Sequence, residues 1–122
     1  MNTAALSPTT RAALEKILQV LEVFRLGDRD MPLGEAVSFL LVALGETRDG
    51  GISITDLSKA GDFSLASASR HIQALGEFDR RRDPGLEWVS DSVDLMERRK
   101  KILKITPQGR RIVSLLQIAI GA

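Results

Sequence analysis

A mainly α-helical domain with one small β-hairpin is the fold class this sequence predicts, on three observations. Ser64–Leu75 opens on a capping serine and carries apolar residues at helical spacing. Just before it, Asp56–Ala60 has the pattern of a shorter helix, separated from the first by the turn Gly61-Asp62-Phe63. Helix, glycine-containing turn, helix is a helix-turn-helix pattern. Further on, Leu86–Val89 and Lys101–Ile105 read as two short strands around the polar loop Ser90–Glu97, which makes a wing.

Composition bounds the possibilities. At 122 residues the chain is one domain, expected to span 1–122, and 43% hydrophobic against 27% charged residues places it among globular rather than disordered chains. The absence of cysteine excludes disulfides, thiolate chemistry and zinc fingers, and a single histidine leaves no histidine-rich metal site. No apolar run approaches the ~18 residues of a membrane span, and Met1–Ser7 lacks the regions of a signal peptide. The expectation is a soluble cytoplasmic protein without membrane contact, cofactor or metal. Net charge is only +1, but residues 1–63 hold six Lys/Arg against nine Asp/Glu and residues 64–122 hold eleven against seven. The basic half contains the helix-turn-helix end and the wing, as expected of a module with one nucleic-acid-facing side.

In chain order, Ser7 caps a first helix, Pro8 occupies its first turn and Gly27 stops it. Its stripe Leu14, Ile17, Leu18, Leu21 and Phe24, widened by Ala13 and Val20, is broader than one packing partner needs. A second helix at about Pro32–Gly45 is apolar enough to be central, and Thr47–Gly51 is a turn. Ile52-Ser53-Ile54 alternates like a very short strand, after which Thr55 caps the helix Asp56–Ala60 with Leu57 inward. Gly76–Gly85 is irregular and contains Arg80-Arg81-Arg82. Thr106-Pro107 repeats the cap-plus-proline start, and a last helix runs from about Pro107 to Ile120. That helix is apolar nearly all round, and its surface needs a cover that a second subunit would supply. The expected division is residues 8–27 and 107–120 for dimerisation and residues 52–105 for binding DNA.

In the helix Ser64–Leu75, Leu65, Ala68, Ile72 and Leu75 fall on one narrow stripe at about 100° per residue. Arg70 lies almost opposite, with Ala66, Ser67 and Gln73 around it and Ser69 and His71 on the flanks. Short hydroxyls and one guanidinium on an exposed helix face suit entry into the DNA major groove. An ordinary amphipathic surface helix would show the same stripe, so the following hairpin is what favours the DNA reading.

Two stretches resemble a winged helix-turn-helix regulator of the MarR type. Glu97-Arg98-Arg99-Lys100-Lys101-Ile102-Leu103-Lys104-Ile105-Thr106-Pro107-Gln108-Gly109 is similar to that family's wing strand and following helix start, usually Asp-Arg-Arg, alternating apolar residues and Leu-Thr-Pro-Lys-Gly. Ser69-Arg70-His71-Ile72 and Leu75 resemble its recognition-helix pattern. Glu97 stands where the family has Asp, the stretch from Leu75 to Gly85 is longer than usual, and the last helix is short.

The resemblance implies a sequence-specific, double-stranded DNA-binding transcriptional regulator acting as a homodimer. Ser64, Ser67, Ser69, Arg70, His71 and Gln73 would then meet bases and phosphates, with Arg98, Arg99 and Lys100 on the wing. A Glu97–Arg99 salt bridge would aim the wing arginine. Members of the family often bind a small-molecule effector, so the resemblance implies one as a possible partner. No catalytic motif is present: there is no phosphate-cradling Gly loop, no His-Glu-x-x-His and no Gly-x-Ser-x-Gly. The competing reading is a winged-helix protein-interaction module, an adaptor or modulator of a polymerase or repressor. Near-neutral charge and the Leu65-Ala66 pair favour it.

Overall fold

The computed structural model describes residues 5–77, 81–93 and 101–122. The elements are α1 (Pro8–Phe24), α2 (Leu33–Asp49), α3 (Ile54–Gly61), α4 (Leu65–Leu75), β1 (Val89–Val93), β2 (Lys101–Ile105) and α5 (Pro107–Ile120). This is the mainly helical fold with a two-stranded antiparallel wing that the sequence predicts. The pairing runs from Val89 opposite Ile105 to Val93 opposite Lys101.

The capping serines and threonine act as expected at three helices. Ser7 Oγ accepts from the Thr10 amide at 3.1 Å, Ser64 Oγ from Ser67 at 3.0 Å, and Thr106 Oγ1 from Gly109 at 3.0 Å. Several boundaries differ. The first helix ends at Phe24, not at Gly27, because i→i+3 bonds from Leu26 to Val23 and from Gly27 to Phe24 tighten its exit. Gly27 has another role: a Cβ there would lie 2.5 Å from the Trp88 ring. The second helix does not stop at Gly45 but runs through most of the expected Thr47–Gly51 turn to Asp49. Gly45 is tolerated inside it because Ile52 packs flush against it, and Gly50, at φ 72°, is the left-handed stop.

Ser53, not Thr55, caps the third helix, accepting from the Asp56 amide at 3.1 Å. The expected strand Ile52–Ile54 is reduced to one bridge, in which the Leu103 amide donates to Ile52 O at 2.8 Å. The expected strand Leu86–Val89 begins only at Val89, and Ser90–Val93, expected as loop, belongs to β1. The reason is a competing set of partners. The amides of Leu86, Glu87 and Trp88 donate to Ala74, Gly76 and Leu75 carbonyls at 3.0, 3.0 and 2.8 Å, which satisfies the end of α4 and removes these residues from the ladder.

The core is continuous from α1 to the wing. Phe39 of α2 is fully buried between Phe24, at 6.1 Å between ring centroids, and Trp88, at 5.3 Å, both edge-to-face. Ala36, Val42, Leu57, Ala68, Leu75, Val89, Leu103, Ile105, Ile112 and Leu116 complete it. α2 packs on α3, α4 and β2, while α1 packs chiefly on α5. The expectation that α2 is central holds for one side only, since Leu33, Leu40 and Leu44 lie exposed on the other. On α1 the stripe Leu14, Ile17, Leu18 and Leu21 is 45–58% exposed and only Phe24 is buried. Ile118 on α5 is 73% exposed, with Leu115 and Ile120 also at the surface. Among the described residues, no helix is long and apolar enough to cross a membrane.

Candidate nucleic-acid interface

The turn into α4 is held by its backbone. Asp62 adopts the left-handed conformation at φ 55°. Ser58 brackets Phe63, its hydroxyl donating to Phe63 O at 2.7 Å and its carbonyl accepting from the Phe63 amide at 2.9 Å. Gly61 is required beneath the Phe63 ring, where a Cβ would come within 2.3 Å of a ring carbon. Ser64 then caps α4, and its hydroxyl donates to Ser67 Oγ at 3.0 Å. The first turn of α4 contains no acidic residue, so its free amides present the positive end of the helix.

α4 presents two unlike faces. Ala68 and Leu75 are fully buried and Ile72 partly so, against the core. Ala66, Arg70 and Gln73 are exposed on the opposite face, with Ser69 half-buried beside them. Among the described residues, none forms a salt bridge with Arg70. Leu65 departs from the expected stripe. It sits on the edge of the buried side yet remains 55% exposed.

His71 is a packing residue as much as a flank. Its ring meets Phe63 edge-on at 5.0 Å, and Gly34 of α2 makes room for it, since a Cβ there would lie 2.7 Å from Nε2. Burial, and secondarily the Arg70 charge, hold its pKa below the ordinary histidine value. The imidazole is therefore neutral at pH 7 and adds no positive charge to this face.

The other candidate residues divide by position. Glu97, Arg98, Arg99 and Lys100, between β1 and β2 in sequence, lie outside the described residues, and so does Arg80, between α4 and β1. Arg81 and Arg82 are exposed. Two lysines of β2 are engaged within the chain: Lys101 Nζ lies 3.5 Å from Asp91, and Lys104 Nζ donates to Gly50 O. Arg110 pairs with Glu46, whose other oxygen accepts from the Ile105 amide at 2.9 Å, so this pair ties α2 to the wing base and α5. A cleft of about 530 Å³ opens between the C-terminal half of α4 and β1, with Glu77, Glu87 and Asp91 in its walls. Asp91 is offset by Lys101, so the negative character of these walls, unfavourable to a polyanion, rests on Glu77 and Glu87. No composition signal in the sequence pointed to this acidic border, because its three carboxylates come from separate segments. Among the described residues, no group of three or more His, Asp or Glu is placed to hold a metal.

No family model matches the chain, and no curated protein sequence matches it. Solved structures do. A mutant form of Staphylococcus aureus MepR bound to an oligodeoxyribonucleotide superposes with a TM-score of 0.67 at 15% identity, over 93% of this chain and 73% of that one. S. aureus MepR bound to ethidium bromide matches with a TM-score of 0.67 at 16% identity, over 99% and 79%. The transcriptional regulator Tm0710 of Thermotoga maritima matches with a TM-score of 0.65 at 14% identity, over 91% and 68%. At such identities the likeness speaks for architecture, and it agrees with the elements described above: the chain has the winged-helix fold of the MarR-type transcriptional regulators.

Proposed function

We propose that this chain is a sequence-specific, double-stranded DNA-binding transcriptional regulator that works as a cytoplasmic homodimer and catalyses no reaction. The observation that carries the reading is the outer face of α4. A guanidinium, an amide side chain and small residues stand on the exposed side of a capped helix. The likeness to MepR, one form of which is bound to an oligodeoxyribonucleotide, supports the same reading. Arg70 is the residue suited to a bidentate contact with a guanine, and Gln73 to an adenine. Ser64, Ser67 and Ser69 and the helix N-terminus approach phosphates, as does His71 through a neutral ring nitrogen. Arg98, Arg99 and Lys100 contribute backbone contacts from the wing, with Glu97 orienting Arg99.

Two experiments test this. Duplexes selected from a random pool define the preferred site. Arg70→Ala should bind that site more weakly by ~1–3 kcal/mol, roughly 5- to 150-fold, while binding to unrelated duplexes falls much less. Arg70 is exposed, so the variant keeps its circular dichroism spectrum and melting temperature. Equal loss on both kinds of DNA would make Arg70 a phosphate anchor. No loss on either would favour the protein-interaction reading. Replacing Arg98 and Arg99 with Ala should flatten the plot of log affinity against log salt, with a slope smaller by roughly 2, because two fewer phosphates shed counterions.

The dimer reading rests on the exposed apolar faces of α1 and α5. Among the described residues, Leu14, Ile17, Leu18 and Leu21 stand 45–58% exposed and Ile118 73%. A second copy that buries residues 8–27 and 107–120 removes this surface from water. Sedimentation at micromolar concentration should give twice the 13.3 kDa chain mass. A single species at 13.3 kDa would refute it.

A further inference from the structure

The helix that presents Arg70 also presents a leucine that the core does not use. Leu65 has the spacing of the buried stripe, yet Ala68 and Leu75 are fully buried and Leu65 is 55% exposed. Beside it Ala66 is exposed too, so α4 opens with two adjacent apolar side chains, while Arg70 and Gln73 follow Ala66 on the outer face. Ser64 fixes this first turn through its bond to the Ser67 amide.

We infer that Leu65 and Ala66 read the 5-methyl group of thymine, so that the preferred site carries a thymine beside the base met by Arg70. This rests on the DNA-binding reading above. The chemistry is selective: base edges in the major groove are otherwise hydrogen-bond donors and acceptors, and thymine's C5-methyl is the one apolar group among them. Donor and acceptor groups cannot use a leucine, and a methyl can. The geometry is also favourable. N-terminal residues of a recognition helix come nearest the bases. Ala66 and Arg70 stand four residues apart on one face, about 6 Å along the axis. Successive bases of a strand are about 3.4 Å apart. The thymine therefore lies one or two base pairs from the guanine of Arg70. Arg70 supplies hydrogen bonds at one position and the apolar pair supplies contact at its neighbour, so the two together specify a step rather than a single base.

Deoxyuridine provides the test, since it keeps every hydrogen-bonding group of thymine and lacks only the methyl. The best duplex from a random pool is compared with copies in which each thymine in turn is replaced by deoxyuridine. The wild-type protein should lose affinity about fourfold, the value of one buried methyl, at one or two thymines near the Arg70 position. Leu65→Ser and Ala66→Ser proteins, altered only at exposed positions, should between them lose that sensitivity while still binding the duplex. Equal binding of thymine and deoxyuridine duplexes by the wild type overturns the inference and leaves the DNA-binding reading standing. So does a deoxyuridine penalty that persists in both serine variants. Failure to select any duplex overturns both, and Leu65 then belongs to a protein contact.

Discussion

Phe39→Ala should destabilise the fold by about 3–5 kcal/mol. The phenyl ring is fully buried and is the middle member of the stack formed with Phe24 and Trp88. Its loss removes transfer energy, leaves a cavity beside Phe24 and Trp88, and breaks two edge-to-face contacts. Since domains of this size have a total stability of about 5–15 kcal/mol, the variant should lie near the edge of folding. Urea unfolding followed by tryptophan fluorescence is the measurement, because Trp88 is the only tryptophan and sits against the altered site. A loss below about 1 kcal/mol would mean that Phe24 and Trp88 collapse onto each other without it.

Glu35→Gln should stabilise the protein by up to about 3 kcal/mol at pH 8 and change little at pH 4.5. Glu35 lies in the first turn of α2 and is 6% exposed. Burial, and then repulsion from Asp28, push its pKa from an ordinary 4.5 up to about 7. The folded state therefore holds this proton more tightly than the unfolded chain does. The sign follows: stability linked to Glu35 is fully present below about pH 4.5 and is lost as pH rises through about 7. Glutamine keeps the shape and the polar head without the charge, so it escapes that loss. Unfolding free energies of the two proteins at pH 5 and pH 8 check it. A wild type that is no less stable at pH 8 than at pH 5 relative to the variant would show that the carboxylate finds compensation on ionising.

The consequence of Glu35 was not legible in the sequence, and the reason lies in α2. A helix with apolar residues on every side gives no periodicity from which to say which side meets the core. Leu33, Leu40 and Leu44 are as apolar as Phe39 and Val42, yet the first three face out and the last two are fully buried. Only the three-dimensional packing places Glu35 on the inner side. By contrast α4 was readable in advance, because a capping serine and polar residues opposite Ala68 and Leu75 leave one consistent orientation. Its single exception, Leu65, is an end residue that the core does not reach. The wing's second strand was readable from its alternation and from Thr106-Pro107 behind it. The first was not, because Leu86–Trp88 look like strand residues and spend their amides on a helix end.

Those three amides bear on how such a molecule could be controlled. They leave the chain emerging from α4 fastened to the helix it has just left, and Trp88 then anchors the same segment under α1 and α2 through Gly27 and Phe39. Helix α4 and the start of β1 are consequently held as one unit, whose relative orientation is set at folding. A signal that alters DNA affinity would have little purchase on that orientation. On the dimeric, DNA-binding reading proposed above, it would act instead on the distance and tilt between two such units, through α1 and α5, and so on which spacing of half-sites a pair can span.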